Sequence, residues 1–116
     1  MSKSQLAKVA FILEMIENIE MVIARHGSIT KALEDTLEAR AAILMYLMQI
    51  GETLKKVELA LLQKYDLEVE MKGAYDVRNF IAHDYDGVNI IVIEDIIRTN
   101  LPILKSRIET MLADLS

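Results

Sequence analysis

The scarcity of turn-forming residues restricts the fold of this chain more than any other feature. Its 116 residues include four Gly and one Pro, and 53% of them are hydrophobic. Because sheets need frequent tight turns, this composition favours a few long helices over β structure. The length fits one domain, residues 1–116, and leaves no room for a second.

The absence of cysteine and of long apolar runs narrows the protein class further. Without Cys there is no disulfide framework, no thiolate zinc site and no cysteine nucleophile. The longest unbroken apolar run, Ala41 to Met48, falls far short of the roughly 18 residues that a membrane span needs. We therefore expect a cytoplasmic protein with neither a signal peptide nor a membrane anchor.

The first helix is predicted from Leu6 onward by apolar residues at steps of three and four. It should end at Gly27, after Arg25 and His26, whose cationic side chains suit the negative end of a helix. A second apolar row lies beside the first, and one of the two rows is expected to face the core while the other faces a second subunit of a homodimer. The first row is Leu6, Val9, Leu13, Ile16, Ile19 and Ile23; the second is Phe11 or Ile12, Met15, Ile19 and Val22.

The rest of the chain also shows helical spacing. A short helix is expected within residues 28–34, and a longer one after the capping-box spacing of Asp35 and Glu38, continuing to about Lys64. Gly51 in its middle suggests close packing against a neighbour. Residues 65–73 are polar and without a clear period, which predicts a connection.

A third stretch, residues 74–83, should be helical and should end at the turn signal Asp86-Gly87. The final helix spans residues 90–115 and should be bent or split by Pro102. An alternative remains open here, because the β-branched residues 90–93 could instead form a small strand. The predicted fold class is all-α, an antiparallel bundle of four to five helices.

Charge argues against a simple nucleic-acid-binding protein. The net charge is −5, and residues 66–95 hold eight carboxylates against Lys72 and Arg78. Proteins that bind RNA through phosphate contacts usually present a basic face. The candidates for such a face on the long helix are Arg40, Lys55, Lys56 and Lys64.

The residues most suited to chemistry lie together in the stretch 77–85. On a helix, Asn79 and His83 share a face, and a long Arg78 side chain can reach toward the imidazole. Imidazole suits proton transfer near neutral pH, and guanidinium is shaped to bind phosphate. Val77, Phe80 and Ile81 are expected to form the apolar face of this helix.

The order of these residues resembles a known signature. An Arg followed directly by Asn, with His five residues after the Arg and Tyr two further on, resembles the motif of HEPN proteins, above all the HepT-like toxins paired with minimal nucleotidyltransferases. Gln49-Ile50-Gly51-Glu52 and Leu101-Pro102 also look like that group. The resemblance covers nearly the whole chain, from about Leu6 to Leu112.

This resemblance implies a five-helix HEPN bundle that forms a homodimer and acts as a toxin. The toxin would be a metal-independent endoribonuclease, without cofactor, whose Arg and His meet at the dimer interface. Arg78 would stabilise the pentavalent phosphate, His83 would transfer protons, and Asn79 would support the site. Tyr85 would be the residue that the partner nucleotidyltransferase adenylylates to neutralise the toxin.

Several alternatives remain at this level. Asp84 is either a solvated carboxylate or a support that raises the pKa of the neighbouring imidazole. The chain could be a non-catalytic helical dimer that assists a nucleotidyltransferase, or an adaptor module that packs through its seven Met. A His-Asp metal phosphohydrolase is a weak candidate, because the chain has only His26 besides His83.

Overall fold

A computed structural model describes residues 2–115, and every regular element in this range is helical. The all-α prediction is therefore confirmed, and the alternative of a strand at residues 90–93 is wrong. The helices are α1 (Lys3–His26), α2 (Ile29–Glu34), α3 (Ala39–Lys55), α4 (Leu59–Lys64), α5 (Glu68–His83), α6 (Ile90–Asp95), a π-helical segment (Ile96–Asn100) and α7 (Leu101–Leu115).

The centre of the bundle is the pair α1 and α3, with α5 packed on α3 and α7 packed on α1. Short α2 closes one end by contacting α1, α3 and α6. The side chains between these helices are almost entirely aliphatic, so burial of apolar surface drives the assembly. The largest fully buried residues are Ile12, Ile16, Ile19, Leu33, Ile43, Leu44, Ile50, Leu54, Leu62, Leu67, Ile81 and Ile93.

Helix α1 is capped at both ends by its own sequence. The Ser2 side chain accepts a hydrogen bond from the Gln5 N–H, and Gly27 takes a left-handed φ of 90° while its N–H donates to the Ile23 carbonyl. The predicted end at Gly27 is confirmed. In the last turn, His26 lies 2.8 Å from the Val22 carbonyl oxygen through Nδ1, so it has the helix-end role predicted for it.

The second apolar row of α1 is used within the chain. Met15 and Ile19 are buried, and Phe11 and Val22 pack against the same core. Residues of both rows thus belong to the core of one chain, and the prediction that one whole row is left for a second subunit is wrong.

Helix α3 begins at Ala39 and ends at Lys55, so it is shorter than the helix predicted from the Asp35–Glu38 spacing to about Lys64. Asp35 does cap it, accepting hydrogen bonds from the N–H groups of Glu38 and Ala39. The predicted continuation to Lys64 is wrong, since the chain leaves the helix after Lys55 and re-enters one at Leu59. At this bend Val57 is buried and the Glu58 N–H donates to the Gln5 side chain of α1, 3.0 Å away, which anchors the non-helical backbone.

The predicted connection over residues 65–73 is also wrong, because α5 begins at Glu68. The acidic residues of this stretch made it look like a polar connection. In the structure, however, Glu68 and Glu70 lie in the first turn of α5, where their negative charges complement the positive end of the helix. Glu70 also pairs with Arg107 of α7 at 2.7 Å. The start of α5, which shows no clear apolar period in the sequence, is thus held in place by the Glu70–Arg107 ion pair and by burial of Leu67.

The last helix continues through Pro102 with a local change of pitch. Pro102 cannot donate a backbone hydrogen bond, and the turn just before it widens into the π-helical segment, where the Leu101 N–H reaches the Ile96 carbonyl. The predicted disturbance by Pro102 therefore takes the form of a π turn that leaves one continuous helical path.

Candidate active site

The motif helix α5 is held against α3 by a close approach at Gly51. A Cβ on Gly51 would lie 2.4 Å from the Ala74 carbonyl oxygen and 2.8 Å from the Arg78 Cβ. Only a residue without a side chain fits at this crossing, which confirms the close packing predicted for Gly51. The crossing brings the residue after Gly51 next to Arg78.

Arg78 is held on two sides by polar side chains. Its Nε donates to Glu52 Oε1 at 2.9 Å, and its Nη2 lies 2.9 Å from the same oxygen. Its Nη1 donates to Asn79 Oδ1 at 3.0 Å. The Arg78 side chain is only 31% exposed, and these contacts define the position of its guanidinium.

His83 is the last residue of α5, one helical turn beyond Asn79. Its side chain is exposed, and no hydrogen bond or ion pair joins the imidazole to another group within residues 2–115. Within residues 2–115 the structure thus joins Arg78 with Asn79 and leaves His83, at the end of the same helix, without a partner. An imidazole in this state is available to a substrate or to a second protein chain.

Asp84 and Tyr85 lie in the turn that follows. Asp84 Oδ1 accepts a hydrogen bond from the Gly87 N–H at 3.0 Å, which closes the predicted Asp86-Gly87 turn. Tyr85, one residue after Asp84, is 45% exposed.

The apolar face of α5 differs in one position from the prediction. Ile81 is fully buried and Val77 packs against the core, but Phe80 is 43% exposed. The prediction that Phe80 belongs to the buried face is wrong, because that face of α5 is centred on Val77 and Ile81. A large aromatic side chain therefore lies exposed next to the polar motif residues.

Basic and aromatic groups extend the site from Arg78 of α5 to Lys55 at the end of α3. Lys55 Nζ lies 5.1 Å from the centre of the Tyr75 ring, and the Arg78 Cζ lies 6.0 Å from the same ring. Of the basic residues named from sequence, Lys55 thus lies beside the motif. Arg40 instead donates to the Leu33 carbonyl, near α2.

Sequence reasoning missed Glu52 and Tyr75 as members of this site. The signal for Glu52 was the Gln49-Ile50-Gly51-Glu52 segment, whose Gly marks a close approach and places the next residue at the crossing. Tyr75 is three residues before Arg78, so helical spacing alone puts the two side chains on neighbouring positions.

Residues 2–115 contain neither a metal-binding cluster nor a membrane-spanning helix. No three His, Asp or Glu side chains converge there in an arrangement that could hold a metal ion. None of the helices in that range has the length and apolar character required to cross a bilayer.

Chemically, the arrangement combines a fixed cation, an amide and an accessible imidazole. A guanidinium can stabilise the extra negative charge of a phosphorane, and an imidazole can move a proton to or from oxygen. Groups of these kinds can act on a phosphodiester such as the RNA backbone, where a 2′-hydroxyl is available as the nucleophile.

Comparison with known proteins agrees with this chemistry. A family model described as Ribonuclease HepT-like matches residues 12–111. The chain is also 29% identical over 108 residues to a protein of Methanocaldococcus jannaschii named "Putative RNase MJ0127", covering 91% of this chain and 88% of that protein. No solved structure matches the chain.

Proposed function

Since this chain belongs to the HepT-like ribonuclease family, we propose that it is a metal-independent endoribonuclease whose site is completed by a second copy of the chain. The observation that carries the proposal is that one helix presents both a fixed Arg78 and an exposed His83, and that His83 has no partner within residues 2–115. Arg78 and His83 are the catalytic residues, and Asn79 supports the guanidinium.

The reaction is a transesterification within the RNA strand. The 2′-oxygen attacks the adjacent phosphorus while one imidazole accepts the hydroxyl proton, and the bond from phosphorus to the 5′-oxygen breaks. A second imidazole, in its protonated form, gives a proton to that leaving oxygen. The products are a 2′,3′-cyclic phosphate and a 5′-hydroxyl. Arg78 stabilises the pentavalent phosphorus that forms after the attack and before the bond to the 5′-oxygen breaks.

This chemistry uses two imidazoles, and the motif supplies one for each chain. His26 does not supply the second, because it contacts the Val22 carbonyl and Asp35 at the far end of α1. A two-fold dimer would bring His83 of one protomer near the partner subunit's His83. Exposed Phe80, one turn from His83, is the apolar side chain that such a dimer would bury.

The biological role that fits this activity is that of a toxin controlled by a minimal nucleotidyltransferase. Tyr85 lies two residues beyond His83 with an accessible ring. Transfer of AMP from ATP to its hydroxyl, releasing pyrophosphate, would place bulk and a negative phosphate beside the catalytic residues. Such a phosphate would compete with RNA for Arg78.

A second candidate function rests on the charge of the motif region. Residues 66–95 carry eight carboxylates and two cations, and this region would repel RNA. A non-catalytic dimer that binds and assists a nucleotidyltransferase would have no such conflict. The distinction lies in whether the purified chain cleaves RNA.

The deciding experiment is cleavage of a single-stranded RNA by the purified protein, with and without EDTA. We expect cleavage that EDTA does not reduce, that yields cyclic-phosphate ends, and that is lost in Arg78→Ala and in His83→Ala. Arg98→Ala is the matched control, since Arg98 is exposed and, within residues 2–115, pairs only with Glu94 one helical turn before it. Cleavage that survives in His83→Ala, or that EDTA abolishes, would contradict this mechanism.

A further inference from the structure

The contact between Glu52 and Arg78 links two helices at the site, and the proposed function does not use it. The two residues are 26 positions apart in the chain, so the contact depends on the packing of α3 against α5. Their side chains are 42% and 31% exposed, so the pair is partly shielded from solvent.

The hydrogen bonds of Arg78 leave room for a substrate. A guanidinium has five N–H groups, one on Nε and two on each terminal nitrogen. Glu52 engages Nε and contacts Nη2, and Asn79 engages Nη1. At least two terminal N–H groups thus have no partner within residues 2–115, enough to bind two oxygens of one phosphate.

We propose that Glu52 is a positioning residue for catalysis, which fixes Arg78 through its Nε edge so that the terminal N–H groups face the scissile phosphate of RNA. The proposal rests on the ribonuclease function proposed above. Glu52 itself does not touch the substrate in this arrangement.

The geometry at Gly51 supports this role. Gly51 permits the closest approach of α3 to α5, and Glu52 follows it directly, so the carboxylate is presented where the helices are nearest. An arginine side chain is flexible and loses conformational freedom when it is held. Because Glu52 already holds Arg78 in the folded protein, the entropy cost of ordering the arginine side chain is incurred on folding and does not add to the free energy of the transition state.

The charge of Glu52 gives the proposal a kinetic signature. A carboxylate beside Arg78 weakens the attraction of the site for the RNA backbone, so its removal should not weaken substrate binding. Its removal should however free the guanidinium and slow the chemical step. We therefore expect Glu52→Ala to lower kcat at least about tenfold while KM is unchanged or lower.

The test compares Glu52→Ala with Glu20→Ala by steady-state kinetics on one RNA oligonucleotide. Glu20 makes an equally short ion pair, 2.9 Å to Lys105, between α1 and α7 and away from the motif. We expect Glu20→Ala to keep the wild-type kcat. If Glu52→Ala does not fold, Glu52→Gln carries the same comparison, because it keeps the shape of the side chain without its charge. Equal kcat values in the Glu52 and Glu20 variants would overturn the proposal.

A second readout separates this proposal from the ribonuclease function. The Nε–H signal of Arg78 in a nitrogen-15 NMR spectrum should be shifted and slow to exchange in the wild type, and should move to the position of free arginines in Glu52→Ala. An unchanged signal would overturn the positioning role. If the wild type does not cleave RNA but the signal responds as expected, the ribonuclease proposal fails and the fixing of Arg78 by Glu52 stands.

Discussion

The backbone of Gly51 approaches Ala74 so closely that a single added carbon atom would lie 2.4 Å from its carbonyl oxygen. Because helix backbones cannot yield locally, any side chain at position 51 must push α3 and α5 apart. The motif helix and its Arg78 are therefore positioned by one glycine on a neighbouring helix.

Gly51→Ala should destabilise the protein and reduce RNA cleavage. Overpacking at a tight helix crossing costs typically about 1–3 kcal/mol, and the separation of the helices would also break the contact of Glu52 with Arg78. Urea unfolding measures the first effect and a cleavage assay the second.

The matched control for this variant is Gly73→Ala, also within a helix of the site. A Cβ on Gly73 meets nothing within 4 Å, so this substitution should stabilise the protein, by roughly 0.5–1 kcal/mol, through helix propensity. If both variants lose stability equally, the crossing is not what makes Gly51 necessary.

Phe80→Glu should convert a dimer into monomers without unfolding the chain. Phe80 is 43% exposed beside the motif, and a buried charge in an apolar interface would oppose association. Light scattering at micromolar concentration should give twice the chain mass for the wild type and the chain mass for the variant. Leu59→Glu, at an exposed position on α4, should remain dimeric, and a dimeric Phe80→Glu would place the interface elsewhere.

Tyr85 should be the site of AMP attachment by a minimal nucleotidyltransferase encoded beside this gene. With that enzyme and ATP, intact-mass spectrometry should show one or more AMP units on the wild type and none on Tyr85→Phe, which should keep its toxicity. Tyr75→Phe is the control and should still be modified, because Tyr75 lies under Lys55 rather than in the turn. Modification of the Tyr85→Phe variant would exclude Tyr85 as the sole acceptor.

Asp35 should contribute stability that depends on pH. Hydrogen bonds from the N–H groups of Ala39 and Glu38, and to a smaller degree from His26, lower the pKa of Asp35 below its usual 3.8. A carboxylate with a lowered pKa stabilises the fold above its unfolded pKa, and this stability is lost as the pH falls through the folded pKa.

Asp35→Asn should therefore be less stable than the wild type near neutral pH, and the difference should shrink as the pH falls below about 4. Thermal unfolding across that range provides the measurement. Asp76→Asn is the control, because Asp76 is exposed and makes no hydrogen bond or ion pair within residues 2–115. A gap between Asp35→Asn and wild type that stays constant with pH would show that the charge of Asp35 plays no part.

Local patterns in the amino-acid sequence were enough to predict the fold class, the end of α1 at Gly27 and the helical stretch from Arg78 to His83. These features depend on local rules, namely apolar spacing, the scarcity of turn formers and the left-handed conformation that glycine adopts readily. The same rules failed at the bend after Lys55 and at the start of α5. There the deciding interactions join distant residues, Gln5 to Glu58 and Glu70 to Arg107.

The assembly of the candidate site depends on how α3 and α5 pack together, which local patterns do not report. Spacing along one helix placed Asn79 and His83 on a common face, but it could not reveal that Glu52, from another helix, holds Arg78, or that Phe80 remains exposed. Both facts depend on where α3 crosses α5. The distance between the two helices is set by the close contact of Gly51 with Ala74, two residues that are 23 positions apart. Helical periodicity reports only on neighbours within a few turns and cannot predict such a contact.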